Sequence, residues 1–286
     1  MNAFLFFVGL VVGSFLNVVI LRYNPEKFLF GKALGGRSRC RHCKKTLRWF
    51  ELVPIASFLL QGGRCRSCRA PLSLQYPIVE ILSGLIFVFV PLRLGSSAFE
   101  VLAVHSNFYI PFILWVAFFL ILLLIAVIDF RLLLIPDEAN IFLMILATLI
   151  VFVGRARFSA VGGSFLGSYA FLFGLRSNIW ANHFFAALIA GLIFMFIVGI
   201  TRGRGMGMGD VKLVVPLGFA FGWPDIVFLV MSGFIIGSIF GVCAISLGTK
   251  RLKSTLPLGP FLVGAAALTF FFGYDFLRLY FGLFRL

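Results

Sequence analysis

The stretch IPFILWVAFFLILLLIAVI, Ile110 to Ile128, contains no charged side chain and stops on Asp129. As a helix these nineteen residues rise about 28 Å, close to the ~30 Å hydrocarbon core of a bilayer. Outward from it the chain repeats the pattern. Apolar runs at Ala3–Leu21, Tyr76–Leu94, Ala139–Val153, His183–Ile200, Val211–Gly222, Ile226–Leu247 and Pro257–Tyr280 bring the expectation to about eight transmembrane helices. The fourth and sixth runs are short and suit tilted or half-buried segments. Phe158–Phe173 is apolar but rich in Gly and Ser, as in an interfacial or re-entrant piece.

Composition agrees. Of 286 residues, 61% are hydrophobic and 12% charged, against roughly 25% charged in an average soluble protein. Mean hydropathy is +1.08, and phenylalanine alone supplies 38 residues. These values exclude a disordered chain, a secreted disulfide scaffold and an ordinary soluble enzyme. The expected fold is an all-α polytopic membrane protein. It divides into a first transmembrane helix (1–22), an extramembrane cysteine-containing loop domain (23–75) and a transmembrane core (76–286).

Charge sets the orientation. Twelve of the 25 Lys and Arg residues lie between Arg22 and Arg69. Beside a membrane span such a cluster marks a cytoplasmic loop facing anionic lipid rather than a nucleic-acid surface. With that loop inside and the spans alternating, nineteen basic residues fall inside and six outside. Both termini are then expected outside. Ala3–Leu21 reads as an anchor, because Met1–Ala3 carries no Lys or Arg and no cleavage site precedes Arg22. Gly9 and Gly13, like Gly233, Gly237 and Gly241, have the spacing that lets helices approach closely in lipid.

Within the basic loop stand Cys40-x2-Cys43 and Cys65-x2-Cys68. Each pair can wrap one side of a tetrahedral ion, and four thiolates suit Zn2+. A loop of this size lacks the apolar surface to fold alone, so a structural metal has a physical task. Four reduced cysteines, or two redox pairs, are the alternatives, and His42 could replace one ligand. Four thiolates leave no open position for zinc catalysis.

The chain has ten acidic residues, and two of them abut hydrocarbon on the expected cytoplasmic side. Asp129 closes Ile110–Ile128; Asp210 follows Gly205-Met206-Gly207-Met208-Gly209. A carboxylate at the centre of a span costs ~2.5–3.5 kcal/mol on insertion scales. Two brought close cannot both ionise easily, so the pair can hold one proton. One member then activates water while the other polarises a carbonyl, which is aspartic-protease chemistry. The alternatives are a helix cap at Asp210 and a snorkelling Asp129–Arg131 pair. Three alternating glycines disfavour helix by ~1 kcal/mol each, which predicts an extended segment where a peptide strand could approach the backbone. The chain has no HExxH, GxSxG or Walker-type loop, and His42, His105 and His183 fall on different expected sides.

Taken in order, Gly13-Ser14-Phe15-Leu16-Asn17-Val18, the two CxxC pairs, Tyr76-Pro77-x-x-Glu80, Ile128-Asp129, Ile135-Pro136-Asp137, Gly205–Leu213 and Leu258-Gly259-Pro260-Phe261-Leu262 resemble the bacterial type IV prepilin peptidases. These are GxGD intramembrane aspartic proteases, related to the pseudopilin peptidases of type II secretion. Arg41 and Leu258 depart from the family's common Pro and Phe. The resemblance implies Asp129 and Asp210 as the catalytic pair, with Gly207, Gly209 and Lys212 in the active-site loop. It implies a multi-pass protein of the bacterial inner membrane, with the zinc loop and the dyad at the cytoplasmic side. It also implies leader cleavage of prepilins or pseudopilins, and N-methylation of the new terminus from S-adenosylmethionine by the region Gly13–Glu80. Because such leaders are basic and the chain carries +15, Glu80, Asp137 and Glu138 are expected to anchor the leader; pairing of Glu80 with a loop arginine is the alternative. The rival readings are a non-catalytic membrane scaffold whose loop docks a pilus or secretion assembly factor, and a peptidase that lacks methylation.

Overall fold

The computed structural model describes residues 2–26, 35–94, 109–154, 164–166, 169, 178–203, 205–248 and 256–283. The apolar runs fold as helices close to where hydropathy puts them: α1 (Asn2–Arg22), α3 (Gln75–Arg93), α4 (Tyr109–Leu132), α5 (Asp137–Gly154), α6 (Ile179–Thr201), α7 (Met208–Phe221), α8 (Asp225–Ser246) and α9 (Gly259–Leu283). The loop between α1 and α3 holds one 3-10 turn, Trp49–Leu52, and a short helix α2 (Ala56–Leu60). Among the described residues six helices, α1, α3, α4, α6, α8 and α9, are long and apolar enough to cross a membrane. The chain is therefore a helical membrane protein. α5 and α7, the two runs read as short, are not among these six, so the expected count of eight spans is approximate. Of the expected interfacial piece Phe158–Phe173, only Ser164–Leu166 and Tyr169 fall among the described residues, and His105 lies outside them.

The chain forms two compact units, Met1–Phe108 and Tyr109–Leu286. In the first, α1 lies along α3. A Cβ on Gly9 would stand 2.7 Å from the Cα of Gly84, and one on Gly13 2.7 Å from the Cα of Glu80. The GxxxG of α1 is a helix–helix contact, as its spacing suggests. Asn17 is buried in the same seam, where its amide donates to the Tyr76 carbonyl (3.1 Å) and accepts from Gln75 Nε2 (3.4 Å). These contacts attach α3 to α1, whereas the sequence division placed residues 76 onward with the transmembrane core. Hydropathy carries no information about which span pairs with which.

In the second unit α4 packs on α5 and α9, α5 and α6 on α7, and α8 on α9. Gly233 and Gly237 face Leu262 and Phe261 of α9, so the glycine row of α8 serves packing. Trp115 anchors an aromatic core, its ring 4.7 to 6.0 Å from those of Phe118, Phe119, Phe165, Phe221 and Phe270. Asn182 of α6 grips the turn between α7 and α8, accepting from the Trp223 N–H (2.8 Å) and donating to its carbonyl (3.1 Å). Asp225 is fully buried, accepting from the Phe165 N–H (2.8 Å) and the Ser164 hydroxyl. Asp129 lies within the last turn of α4. Leu133, at φ +53°, donates its N–H to the Asp129 carbonyl (2.8 Å) and ends the helix just before Pro136.

Candidate functional site

Asp129 and Asp210 are buried, 5% and 8% exposed, and lie within Coulombic reach of each other. Each is held by a helix N-terminus, where backbone N–H groups lack helical partners and the dipole favours negative charge. Asp129 Oδ2 accepts from the N–H of Gly259, the first residue of α9, at 3.0 Å. Asp210 Oδ2 accepts from the N–H of Gly207, the residue capping α7, at 3.2 Å. Each carboxylate is thus oriented through one oxygen. Its Oδ1 has no partner among the described residues and remains available to water or substrate.

Gly259 must be glycine for this. A Cβ there would stand 2.5 Å from Asp129 Oδ2, inside any real contact distance. Spacing and composition do not reveal this role, which arises only where the start of α9 meets the end of α4. On the Asp210 side, Gly207 is extended (φ −83°, ψ 157°) as expected, but the helix begins at Met208. Gly209 and Lys212 therefore belong to the first turns of α7 and not to a loop. Glycine's weak helix propensity is outweighed by the bond from the Gly207 N–H to the Asp210 carboxylate and by packing of Ile135 on Gly209. Asp210 thus also supports the helix start, through its place in the first turn and not as the capping residue itself.

Lys212 Nζ meets Asp137 Oδ1 at 2.7 Å, an exposed pair that ties the start of α7 to the start of α5. Glu138, beside it, is partly exposed and has no partner among the described residues. Glu80 does not present a free carboxylate: it is buried in the first unit, accepting from the Ile55 N–H (2.8 Å) and the Ser14 hydroxyl. Among the described residues it pairs with no loop arginine. Its carboxylate fastens the cysteine loop to α3, at a residue whose φ is +58°.

The four cysteines converge. One sulfur from each lies within 4.8 Å of all the others, and His42 is exposed outside the group. The two CxxC turns are copies of one knuckle, a repeat carried by Arg39-Cys40-Arg41-His42-Cys43-Lys44 and Arg64-Cys65-Arg66-Ser67-Cys68-Arg69. In the first, Cys40 N–H donates to the Lys45 carbonyl (2.9 Å) and Lys44 N–H to that of Cys40 (3.0 Å). In the second, Cys65 donates to Ala70 (2.9 Å) and Arg69 to Cys65 (2.8 Å), and Lys44 and Arg69 both take positive φ. The Ala70 N–H draws the Cys68 thiol down, but burial and the thiols of Cys65, Cys43 and Cys40 raise it, leaving it at about 11. Four sulfurs so close become thiolates together when a cation joins them, and tetrathiolate sites suit Zn2+. The residues present fit a structural zinc ion.

Comparison with known proteins adds the family. The bacterial peptidase A24 N-terminal domain matches residues 7–94, and the type IV leader peptidase family matches residues 116–242. The chain is 31% identical to a prepilin leader peptidase/N-methyltransferase of Burkholderia pseudomallei (strain 1026b), over 96% of this chain and 86% of the relative. It is 28% identical to one from Bacillus subtilis (strain 168), over 98% of both chains. It is also 28% identical to one from Aeromonas hydrophila, over 96% of this chain and 92% of the relative. No solved structure matches the chain. Two buried aspartates, each bonded to a backbone N–H at a helix start, and a four-cysteine cluster thus sit within two matched domains and near-complete alignments: the chain belongs to the type IV leader peptidase family.

Proposed function

We propose that the chain cleaves the basic leader from type IV prepilins or pseudopilins at the cytoplasmic face of a bacterial inner membrane, using Asp129 and Asp210. The observation that carries this is the pair itself: two buried carboxylates in mutual electrostatic reach, each oriented by one backbone N–H and each with a free Oδ1. With one proton shared between them, the ionised member takes a proton from water as the water oxygen attacks the scissile carbonyl carbon. The neutral member donates a hydrogen bond to the carbonyl oxygen, where negative charge develops. Collapse of the tetrahedral intermediate breaks the C–N bond, and a carboxyl proton passes to the leaving amine.

The leader's basic residues meet the acids at the start of α5. Glu138 is the carboxylate there with no partner among the described residues, and Asp137 already shares its charge with Lys212. The cysteine loop is held by zinc, and its arginines meet anionic lipid at the cytoplasmic face, as the basic bias of the loops supports. Methylation of the new terminus belongs to the same reading, supported by the names of the relatives. S-adenosylmethionine supplies an electrophilic methyl group when bound. One cavity of the first unit, lined by Phe50, Gln61, Arg64, Arg66 and Arg69, does not suit it. Three guanidinium groups there oppose a sulfonium cation.

The test is intact-mass analysis of a prepilin incubated with purified enzyme. Loss of the leader plus one methyl group supports the whole reading. Loss of the leader alone leaves a peptidase, and an unchanged precursor returns the chain to a scaffold.

A further inference from the structure

We infer that Asn140 is a substrate-positioning residue of the aspartate site, its side-chain amide pairing with the backbone of the peptide to be cut. Among the described residues of the second unit, the buried polar side chains are Asp129, Asn140, Asp210, Asp225 and Thr269. Four are bonded: Asp129 to the Gly259 N–H, Asp210 to the Gly207 N–H, Asp225 to Phe165 and Ser164, and Thr269 to the Ala265 carbonyl. Asn140 is 8% exposed, and neither its Nδ2 nor its Oδ1 has a partner among the described residues. An amide cut off from water without a partner is destabilising, and an apolar residue of the same size would remove that cost.

Its place makes the amide useful. Asn140 is the fourth residue of α5, its own N–H bonded to the Pro136 carbonyl (3.2 Å). It therefore lies about 4.5 Å, roughly one turn, in from the start of that helix. Asp210 is the third residue of α7, and Asp129 is three residues from the end of α4. These are the same ends of the three helices. Residues 133–136 join α4 to α5, Asp137 pairs with Lys212, and Ile135 packs on Gly209. The buried face of α5 (Ala139, Asn140, Leu143 and Ala147) belongs to a helix that packs on both α4 and α7. Asn140 thus stands at the level of the dyad, on the helix between its two carriers.

A carboxamide has the donor and acceptor of a peptide unit, so it can give a hydrogen bond to a substrate C=O and take one from a substrate N–H. That holds an extended segment in register with the free Oδ1 atoms of the dyad. The dyad cleaves; Asn140 fixes which bond lies against it. This rests on the aspartic peptidase reading.

The experiment measures melting temperature and leader-cleavage kinetics for detergent-solubilised full-length protein carrying Asn140→Leu, Asn140→Thr or Asp210→Asn. Leucine is close in size to asparagine and removes the orphan amide. Asn140→Leu is expected to melt no lower than the parent while kcat/KM falls about ten- to thirtyfold, the loss of one or two hydrogen bonds. Asn140→Thr, which keeps a donor and an acceptor, is expected between the two. Opposite signs on stability and activity separate a positioning group from a packing one. Full activity of Asn140→Leu beside a dead Asp210→Asn overturns this inference and leaves the dyad standing. A lower melting temperature for Asn140→Leu also overturns it, since an amide that holds the bundle together is not unpaired. An active Asp210→Asn overturns the dyad beneath it.

Discussion

Cys43 is exposed and Asp129 is buried, and that contrast separates the two units of the molecule. In the first unit the chemical groups sit on a loop outside the helices. Its 3-10 turn and its helix α2 contain no buried residue, so the loop has almost no core of its own. Four sulfurs, two matching knuckles and the Glu80–Ile55 bond do the work that apolar packing does elsewhere. In the second unit the groups sit at the ends of packed helices, and backbone N–H groups at two helix starts hold them. One region is expected to depend on a metal for its shape, the other on close packing. Chemistry that needs two carboxylates held close and largely desolvated belongs in the second.

The comparison can be broken in four places. The largest expected effect is in the packed unit: Asp129→Asn should cut leader cleavage about a thousandfold or more while zinc content and melting temperature stay at parental values. Elemental analysis and an immunoblot of processed pilin check both sides. Next is Gly259→Ala, where the new methyl group must displace Asp129 Oδ2. A shift of about 1 Å at a reacting group can cost about a hundredfold, so a fall of ten- to a hundredfold in kcat is expected, with KM little changed. Third is Cys40→Ser with Cys43→Ser. The bound zinc, about one equivalent in the parent, should be lost and the loop should become protease-sensitive, with cleavage reduced less than about tenfold. A loss as large as that of Asp129→Asn would mean that the two units do not work separately. The smallest is Asp137→Asn, which breaks an exposed pair worth ~0–1 kcal/mol and should change cleavage by less than about threefold.

How far the sequence could be read follows the same division. Apolar runs of membrane length reveal helices one at a time, so α1 to α9 were mostly visible, and two carboxylates beside nineteen uncharged residues stood out at once. The cysteine spacing was equally open, and the doubled RCRxC pattern that makes the knuckles alike was there to be seen. Pairing between elements was not. Nothing along the chain says that α3 lies on α1, that the Gly259 N–H reaches Asp129 across 130 residues, or that Glu80 is spent on Ile55. Propensity also misled at Gly209, where a helix forms because Asp210 and Ile135 stabilise its first turn. Asn140 had no signature at all: an asparagine near a helix start is ordinary until its burial and missing partners are known.

The central claim is that Asp129 and Asp210 act as one unit, and a double-mutant cycle on leader cleavage tests it most directly. Asp129→Asn, Asp210→Asn and the double variant are compared in one reconstituted assay. If the two share a proton and a water, either change alone removes the whole function and the double variant is no slower than the singles. Partial activities in the singles that multiply in the double variant would show two independent carboxylates, and the dyad would have to be abandoned.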